Sequence, residues 1–269
     1  MTALAGRTLA GNSWLHRRNP TVKFAVVFVV SAVMLAVFDP WTPTVLYVLA
    51  VAGVRLGSRI PWGTLLTAHV PFVLFSFSLL TVNAVARPGE VMWQWGPFDI
   101  TDEGLLVGGS LAIRTLVIGV GAIGFVLTTD GTRLMVSLHQ HLRLSARLTY
   151  AVLAGYRLLE QLPVEWQTIR MAQAVRRSGH RPGTLPRSPR PLLRAAFALL
   201  VTAVRRGERM SIALETRGLG DGPRTVYRPV PLDRQDAVLV AVVLGAVTVV
   251  LALAATVGWL EGPSALGVF

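Results

Sequence analysis

The chain contains no cysteine, which excludes disulfides, thiolate catalysis and cysteine-ligated metal without identifying a compartment. It contains one lysine, Lys23, within Thr-Val-Lys-Phe. A P-loop needs its lysine in Gly-x-x-x-x-Gly-Lys-Ser/Thr to reach the phosphates, so this chain carries no ATPase site of that kind. Charge is scarce as well. Only 15% of the 269 residues are Asp, Glu, Lys or Arg, against about 25% in a soluble domain. Long stretches have none at all. With 52% apolar residues and a mean hydropathy of +0.55, the composition reads as an all-α integral membrane protein and excludes a soluble enzyme or a disordered tail. The net charge of +12 therefore calls for a membrane explanation before a nucleic-acid one.

A helix crossing the hydrocarbon needs roughly 20 mostly apolar residues. Five candidates appear: Val22 to Phe38, Trp41 to Val54, Thr64 to Ala86, Leu105 to Thr128 and Val238 to Leu260. The last three are long enough without argument. The first two are short and are separated by Asp39-Pro40, where proline ends one helix and can open the next. They read as a tight helical hairpin. Arg7, Arg17 and Arg18 precede the first run, but no small-residue cleavage site follows Phe38, so a retained helix behind a cytoplasmic tail is expected rather than a signal peptide.

Orientation follows from the basic residues. With five spans, the N-terminal tail, the Leu56 to Gly63 loop and the Thr129 to Ala237 segment share one side. That side holds 24 of the 26 Lys and Arg. The other holds Arg87 beside Asp39, Glu90, Asp99, Asp102, Glu103 and Glu261. This asymmetry predicts a cytoplasmic N-terminus and large segment, with the C-terminus outside. Trp41, Trp93, Trp95 and Trp259 gather near the outer ends, as interfacial aromatics do. The expected organisation is residues 1–128 with four spans, a cytoplasmic domain over 129–235, and a last span in 236–269.

The cytoplasmic segment carries 18 arginines and no lysine. Arg143 to Leu162 reads as an amphipathic helix, punctuated by Pro163. Val164 to Ser178 reads as a second helix, which Gly179 can end in a left-handed conformation. Arg181 to Pro191 is too proline-rich to be helical, and Leu192 to Thr216 is then a long helix. The two helices end alike, in Ala174-Val-Arg-Arg-Ser-Gly179 and Ala213-Leu-Glu-Thr-Arg-Gly218. Taken singly, each is ordinary C-capping: a glycine at C′ and a cation complementing the helix dipole. Taken together, they look like two plugs. Ala213 and Arg217 share a face, a small residue admits another surface, and arginine suits a bidentate pair with an interfacial carboxylate.

Other patterns carry less. Gly119-Val-Gly121-Ala-Ile-Gly124 matches a dinucleotide fingerprint but lies inside an apolar span with no preceding strand. Close helix packing, shared with Gly104, Gly108 and Gly109, explains it better. His139 and His141, two apart on a helix, point to different faces and read as a solvated surface pair rather than metal ligands. His69 reads as a hydrogen-bonded helix partner. Arg114 stands out, because a cation in mid-span costs about 2.5–3.5 kcal/mol on insertion scales and seeks a partner or a wet cavity. Nucleic-acid binding by the arginine-rich segment is disfavoured, since anionic cytoplasmic lipid attracts such charge.

Over nearly its whole length the sequence resembles the transmembrane (T) component of energy-coupling factor transporters, including the cobalt-type relatives. Leu15-His-Arg-Arg-Asn-Pro-Thr-Val-Lys23 resembles the family's opening Pro-x-x-Lys segment, and Thr128-Thr-Asp-Gly-Thr-Arg-Leu134 its Thr-Thr segment. The paired Ala-Arg-Gly signatures are the most specific. Ala213, Arg217 and Gly218 match the second closely. In the first, Ala174 and Gly179 align but Ser178 stands where arginine belongs, leaving Arg177 or Arg176 to supply the charge. The resemblance implies a scaffold without cofactor or catalytic residue. Its two coupling helices would dock on two ATP-binding-cassette ATPases and transmit their motion to a separate substrate-binding membrane subunit that imports a vitamin or transition-metal ion. Arg114 would then make an intramembrane pair, a contact to that subunit, or a purely internal packing contact. The rival reading is a self-contained carrier or channel, which would need polar residues converging at midplane. Only Arg114, His69 and Asn83 stand out, and no internal repeat is visible.

Overall fold

The computed structural model describes residues 12–37, 39–95, 98–175, 188–219 and 228–259. It falls into two compact units: one formed by the described residues up to Asp130 together with those from Pro231 onward, the other by Gly131–Val230. Both are helical, and the chain is an all-α membrane protein, with one short hairpin among the described residues.

The first unit holds α1 (Trp14–Arg17), α2 (Pro20–Met34), α3 (Trp41–Ser58), α4 (Trp62–Ala86), the antiparallel strands β1 (Val91–Trp95) and β2 (Phe98–Thr101), and α5 (Asp102–Thr128). Pro20 opens α2 at a position where its missing N–H costs nothing, and the Asn19 side chain accepts from Thr21 N at 2.9 Å. The helix stops four residues earlier than the apolar run. Its last carbonyls are taken by three-residue bonds from Leu35, Ala36 and Val37, a tightened final turn. Asp39 then receives Thr42 N at 2.6 Å and starts α3. That helix runs past the expected Val54 to Ser58, closing at Arg59 with φ 54°.

Three of these apolar helices are long and apolar enough to cross a membrane: α4, α5 and α9 (Arg234–Val257), while α2 is shorter. Their exposed residues are large and greasy: Phe28 is 67% accessible, Leu74 66% and Val242 62%. Such faces suit hydrocarbon rather than water. The buried core consists of Met34, Val37, Leu46, Val117, Val247 and Val250, with a second cluster of Ile60, Leu65, Ile123 and Leu127.

Successive helices run in opposite senses. Asn19 N donates to Asp236 Oδ1 at 2.9 Å, joining the starts of α2 and α9. At the other end the Trp41 and Trp259 rings meet at 6.1 Å, joining the start of α3 to the residues after α9.

Glycines let α5 lie close to its neighbours. A methyl group on Gly104 would sit 2.5 Å from the Asn83 carbonyl, on Gly119 2.6 Å from the Phe72 ring, and on Gly124 2.8 Å from Val54; Gly108 is similarly tight at 3.0 Å from the Leu80 carbonyl. The sequence expectation of close packing holds at these four. Gly121 has ordinary contact only and Gly109 faces open space.

The hairpin has no counterpart in the sequence reading, which treated this stretch as an outer loop. It is anchored by Thr101, whose hydroxyl accepts from Gly104 N at 3.2 Å, capping α5, and donates to the Arg87 carbonyl at 3.0 Å.

The second unit contains α6 (Gly131–His141), α7 (Ala146–Val175) and α8 (Pro189–Thr216). Two expectations are corrected. Pro163 does not break the chain into two helices: α7 runs through it without interruption. Proline removes one backbone donor, and tertiary contact can outweigh that loss; here Glu165, just past the proline, pairs with Arg206 of α8. The proline-rich stretch is helical at its end, because α8 begins at Pro189, where the first turn needs no N–H donors.

Candidate functional site

The α7–α8 pair is antiparallel. The Glu165–Arg206 ion pair lies near its middle. Close to the end of α7, Gln173, with its amide oriented to satisfy both partners, donates to the Pro191 carbonyl at 3.1 Å and accepts from Ala195 N at 3.2 Å. The end of α7 therefore sits beside the start of α8. The 28-residue α8 rises about 1.5 Å per residue, so its own end projects roughly 40 Å away along the pair. The two helix tips point in opposite directions.

The α8 tip is built by a Schellman turn. Gly218 N donates to the Glu215 carbonyl and Leu219 N to the Leu214 carbonyl, both at 2.9 Å, which satisfies carbonyls the helix would leave bare. Gly218 has φ 76°, the left-handed value that glycine adopts without strain. Arg217 N bonds to the Ala213 carbonyl at 3.3 Å, fixing the arginine as the last turn's cap. Ala213, Arg217 and Gly218 are all exposed. The Arg217 guanidinium makes no hydrogen bond or ion pair with any of the described residues. A hydrogen-bonded turn thus presents, next to a small residue, a cation unpaired among the described residues.

The other tip is described only to Val175. Ala174 is half-buried near the end of α7, whereas Arg176, Arg177 and Gly179 lie outside the described residues.

The histidine pair differs from its expected solvated state. His139 Nδ1 donates to the Leu144 carbonyl at 2.6 Å and His141 Nε2 to the Val230 carbonyl at 3.0 Å. Both rings are half-buried, and the Gln140 side chain between them accepts from Val230 N at 2.8 Å. They fasten the chain leaving the second unit onto α6. His69 Nδ1 donates to the Leu65 carbonyl at 2.7 Å, with its ring edge-on to Tyr47. Among the described residues no group of three His, Asp or Glu could hold a metal ion.

In the first unit, the two sequence segments singled out at Lys23 and Thr128 come together. Lys23, 4% exposed, donates to the Thr128 carbonyl at 2.9 Å and its hydroxyl at 3.3 Å. Five residues earlier, just before α2, Arg18 pairs with Asp233 at 3.4 Å and Asp236 at 3.8 Å. Sequence reasoning noted Lys23 and Thr128 as separate motifs but had no signal that they touch, nor that Arg18 is internally engaged.

A profile of the cobalt transport protein family, CbiQ, matches residues 11–227. This chain belongs to that family. The CbiQ-family match runs through both units and includes the Lys23, Thr128 and Arg217 segments from which the resemblance was read. The chain is also 27% identical over 256 residues to an energy-coupling factor transporter transmembrane protein, EcfT, of Acidaminococcus fermentans, covering 92% of this chain and 94% of that protein. The EcfT of Leuconostoc gelidum subsp. gasicomitatum is 27% identical over 268 residues, 96% of this chain and 98% of its own length. That of Bacillus subtilis is 24% identical over 251 residues, with 90% and 94% covered. This CbiQ-family chain is thus similar, nearly end to end, to membrane components of transporters.

Proposed function

We propose that this chain is the non-catalytic transmembrane scaffold of an energy-coupling factor importer. Its helical second unit receives motion from two ATP-binding-cassette ATPases and passes it to a separate membrane subunit that binds a vitamin or transition-metal ion. The second unit and the N-terminus face the cytoplasm, and the C-terminus lies outside. That orientation is favoured by the one-sided distribution of basic residues. The scaffold needs no cofactor of its own.

The observation that carries the reading is the α8 tip. Arg217 stands exposed and unpaired among the described residues on a glycine-closed turn, at the far end of the helix pair from the α7 terminus. Two tips pointing apart suit two separate sockets better than one shared groove. Arg217 would pair with a carboxylate on one ATPase and Arg177 or Arg176 with one on the other, while Ala213, Ala174, Gly218 and Gly179 allow close approach.

The test is co-purification in detergent with the ATPase pair, comparing the unchanged chain with Arg217→Glu and Arg177→Glu. Losing one partner of a desolvated interfacial pair typically costs about 2–5 kcal/mol, so each reversal should release ATPase. Loss with Arg217→Glu alone would leave the first plug to Arg176 or to packing. An unchanged chain that is folded but retains no ATPase would refute the scaffold and leave a self-contained carrier as the better reading.

A further inference from the structure

Arg114 is half-buried in α5. At about 1.5 Å per residue it lies roughly 18 Å from the Asp102 end and roughly 21 Å from the Thr128 end, near the middle of the span. Among the described residues it makes no hydrogen bond or ion pair. A guanidinium at that depth pairs or faces water, because hydrocarbon solvates it poorly.

Its position on the helix shows where a partner would come from. Residues three, four, seven and eleven apart share a helix face, so Arg114 lies on the face of Ile118, Gly121 and Phe125. Those three line an apolar cleft of about 270 Å³ between α2, α3, α5 and α9. The cleft is open: Leu49 of α3 and Val242 of α9, both on its wall, are 46% and 62% exposed. Arg114 does not line the cleft itself but stands one turn of α5 beyond Ile118, which does.

We infer that the cleft receives an apolar transmembrane helix of the substrate-binding subunit, bearing one Asp or Glu near midplane that pairs with Arg114. This rests on the scaffold reading above. The depth excludes a lipid headgroup as the counter-ion, since phosphates stay at the interface about 15 Å from the bilayer centre. A second copy of this chain fits no better. The acidic residues of its long apolar helices are Asp102 and Glu103 at one end of α5 and Asp236 at the start of α9, with none at the depth of Arg114.

One internal carboxylate lies nearby. The Asp39 carbonyl accepts from Ser110 Oγ at 3.1 Å, one turn outward of Arg114, and Asp39 Oδ1 is buried without a hydrogen-bond partner among the described residues. No ion pair joins Asp39 to Arg114 among the described residues, and Asp39 Oδ2 accepts from Thr42 N at the start of α3. Asp39 therefore supplies the control.

The experiment uses the full complex, co-expressed with both ATPases and the substrate-binding subunit and purified in detergent. Arg114→Leu should retain at least about tenfold less of that subunit while keeping both ATPases, as expected for a truncated charge pair. Arg114→Lys should keep most of it. Exchanging each membrane-embedded Asp or Glu of the partner for its amide should reproduce the loss at one position, and a charge swap there with Arg114→Glu should restore retention. This arm leaves the scaffold intact, so misfolding of an Arg114 variant cannot mimic the result. Full retention by Arg114→Leu overturns the inference, as does loss on Asp39→Asn with no effect from any partner carboxylate. A chain that binds neither ATPases nor the membrane subunit before any substitution fails the scaffold reading instead.

Discussion

Lys23, the only lysine in the chain, crosses 105 positions of sequence to hold the last residue of α5, donating to the Thr128 carbonyl at 2.9 Å. The contact does three physical jobs. It satisfies a carbonyl that the helix end leaves without an intrahelical donor, places a cation at the negative end of the α5 dipole, and ties α2 to α5 where the membrane unit gives way to the second unit. Thr128 completes the site by turning its hydroxyl to the Gly124 carbonyl at 2.7 Å, which leaves the oxygen's lone pairs for Lys23.

Lys23→Met should therefore destabilise the membrane unit. A hydrogen bond from a charged donor contributes about 1.5–3 kcal/mol, and Lys23→Met leaves the Thr128 carbonyl buried without that donor. The expected outcome is a lower apparent melting temperature in detergent, partly recovered by Lys23→Arg. Equal melting of Lys23→Met and the unchanged chain would contradict this role.

Arg18 and Asp236 make a second buried link, with both side chains 5% exposed. Removing one partner of such a pair typically costs about 3–5 kcal/mol, because the other charge stays buried. Asp236→Asn also weakens the capping box that starts α9. Its thermal stability should fall further than that of Asp233→Asn, whose side chain is 61% exposed.

The glycines of α5 separate by position. Gly104→Ala drives a methyl group to 2.5 Å from the Asn83 carbonyl, and such overpacking costs about 1–3 kcal/mol. Gly109→Ala meets nothing within 4 Å and should be neutral or slightly stabilising through helix propensity. Melting the two variants side by side checks the α4–α5 interface directly.

At the proposed docking tip, stability and binding should come apart. Ala213 is exposed, so Ala213→Leu should melt like the unchanged chain yet retain less ATPase, because the larger side chain obstructs close approach. Gly218→Ala should lose about 1 kcal/mol at the left-handed position, and by loosening the turn should weaken ATPase retention as well. Retention unaffected by both variants would remove the tip from the interface.

Sequence alone settled the class of protein and most of its helices, for a reason of scale. Crossing hydrocarbon demands some twenty apolar residues in a row, and that requirement is local, additive and visible in any window. The ends of α4 and α5 fall within a few residues of their expected places for that reason. The repeated Ala, Arg and Gly at the helix ends is also a local pattern, so the α8 cap was legible, down to the glycine at φ 76°.

Tertiary structure decided what no window contains. Pro163 reads as a breaker from its own chemistry, yet α7 continues through it alongside α8. His139 and His141 read as surface residues, yet Leu144 and Val230 offer them carbonyls. Whether the two tips point together or apart depends on the antiparallel register of α7 and α8, which Glu165 and Gln173 fix through residues far along the chain. Lys23 meets Thr128, and Arg114 makes no hydrogen bond or ion pair among the described residues, because a side chain's partner is set by where other helices return. Hydropathy marks the long apolar helices; packing fixes which of their polar groups are spent inside the chain and which remain for a partner.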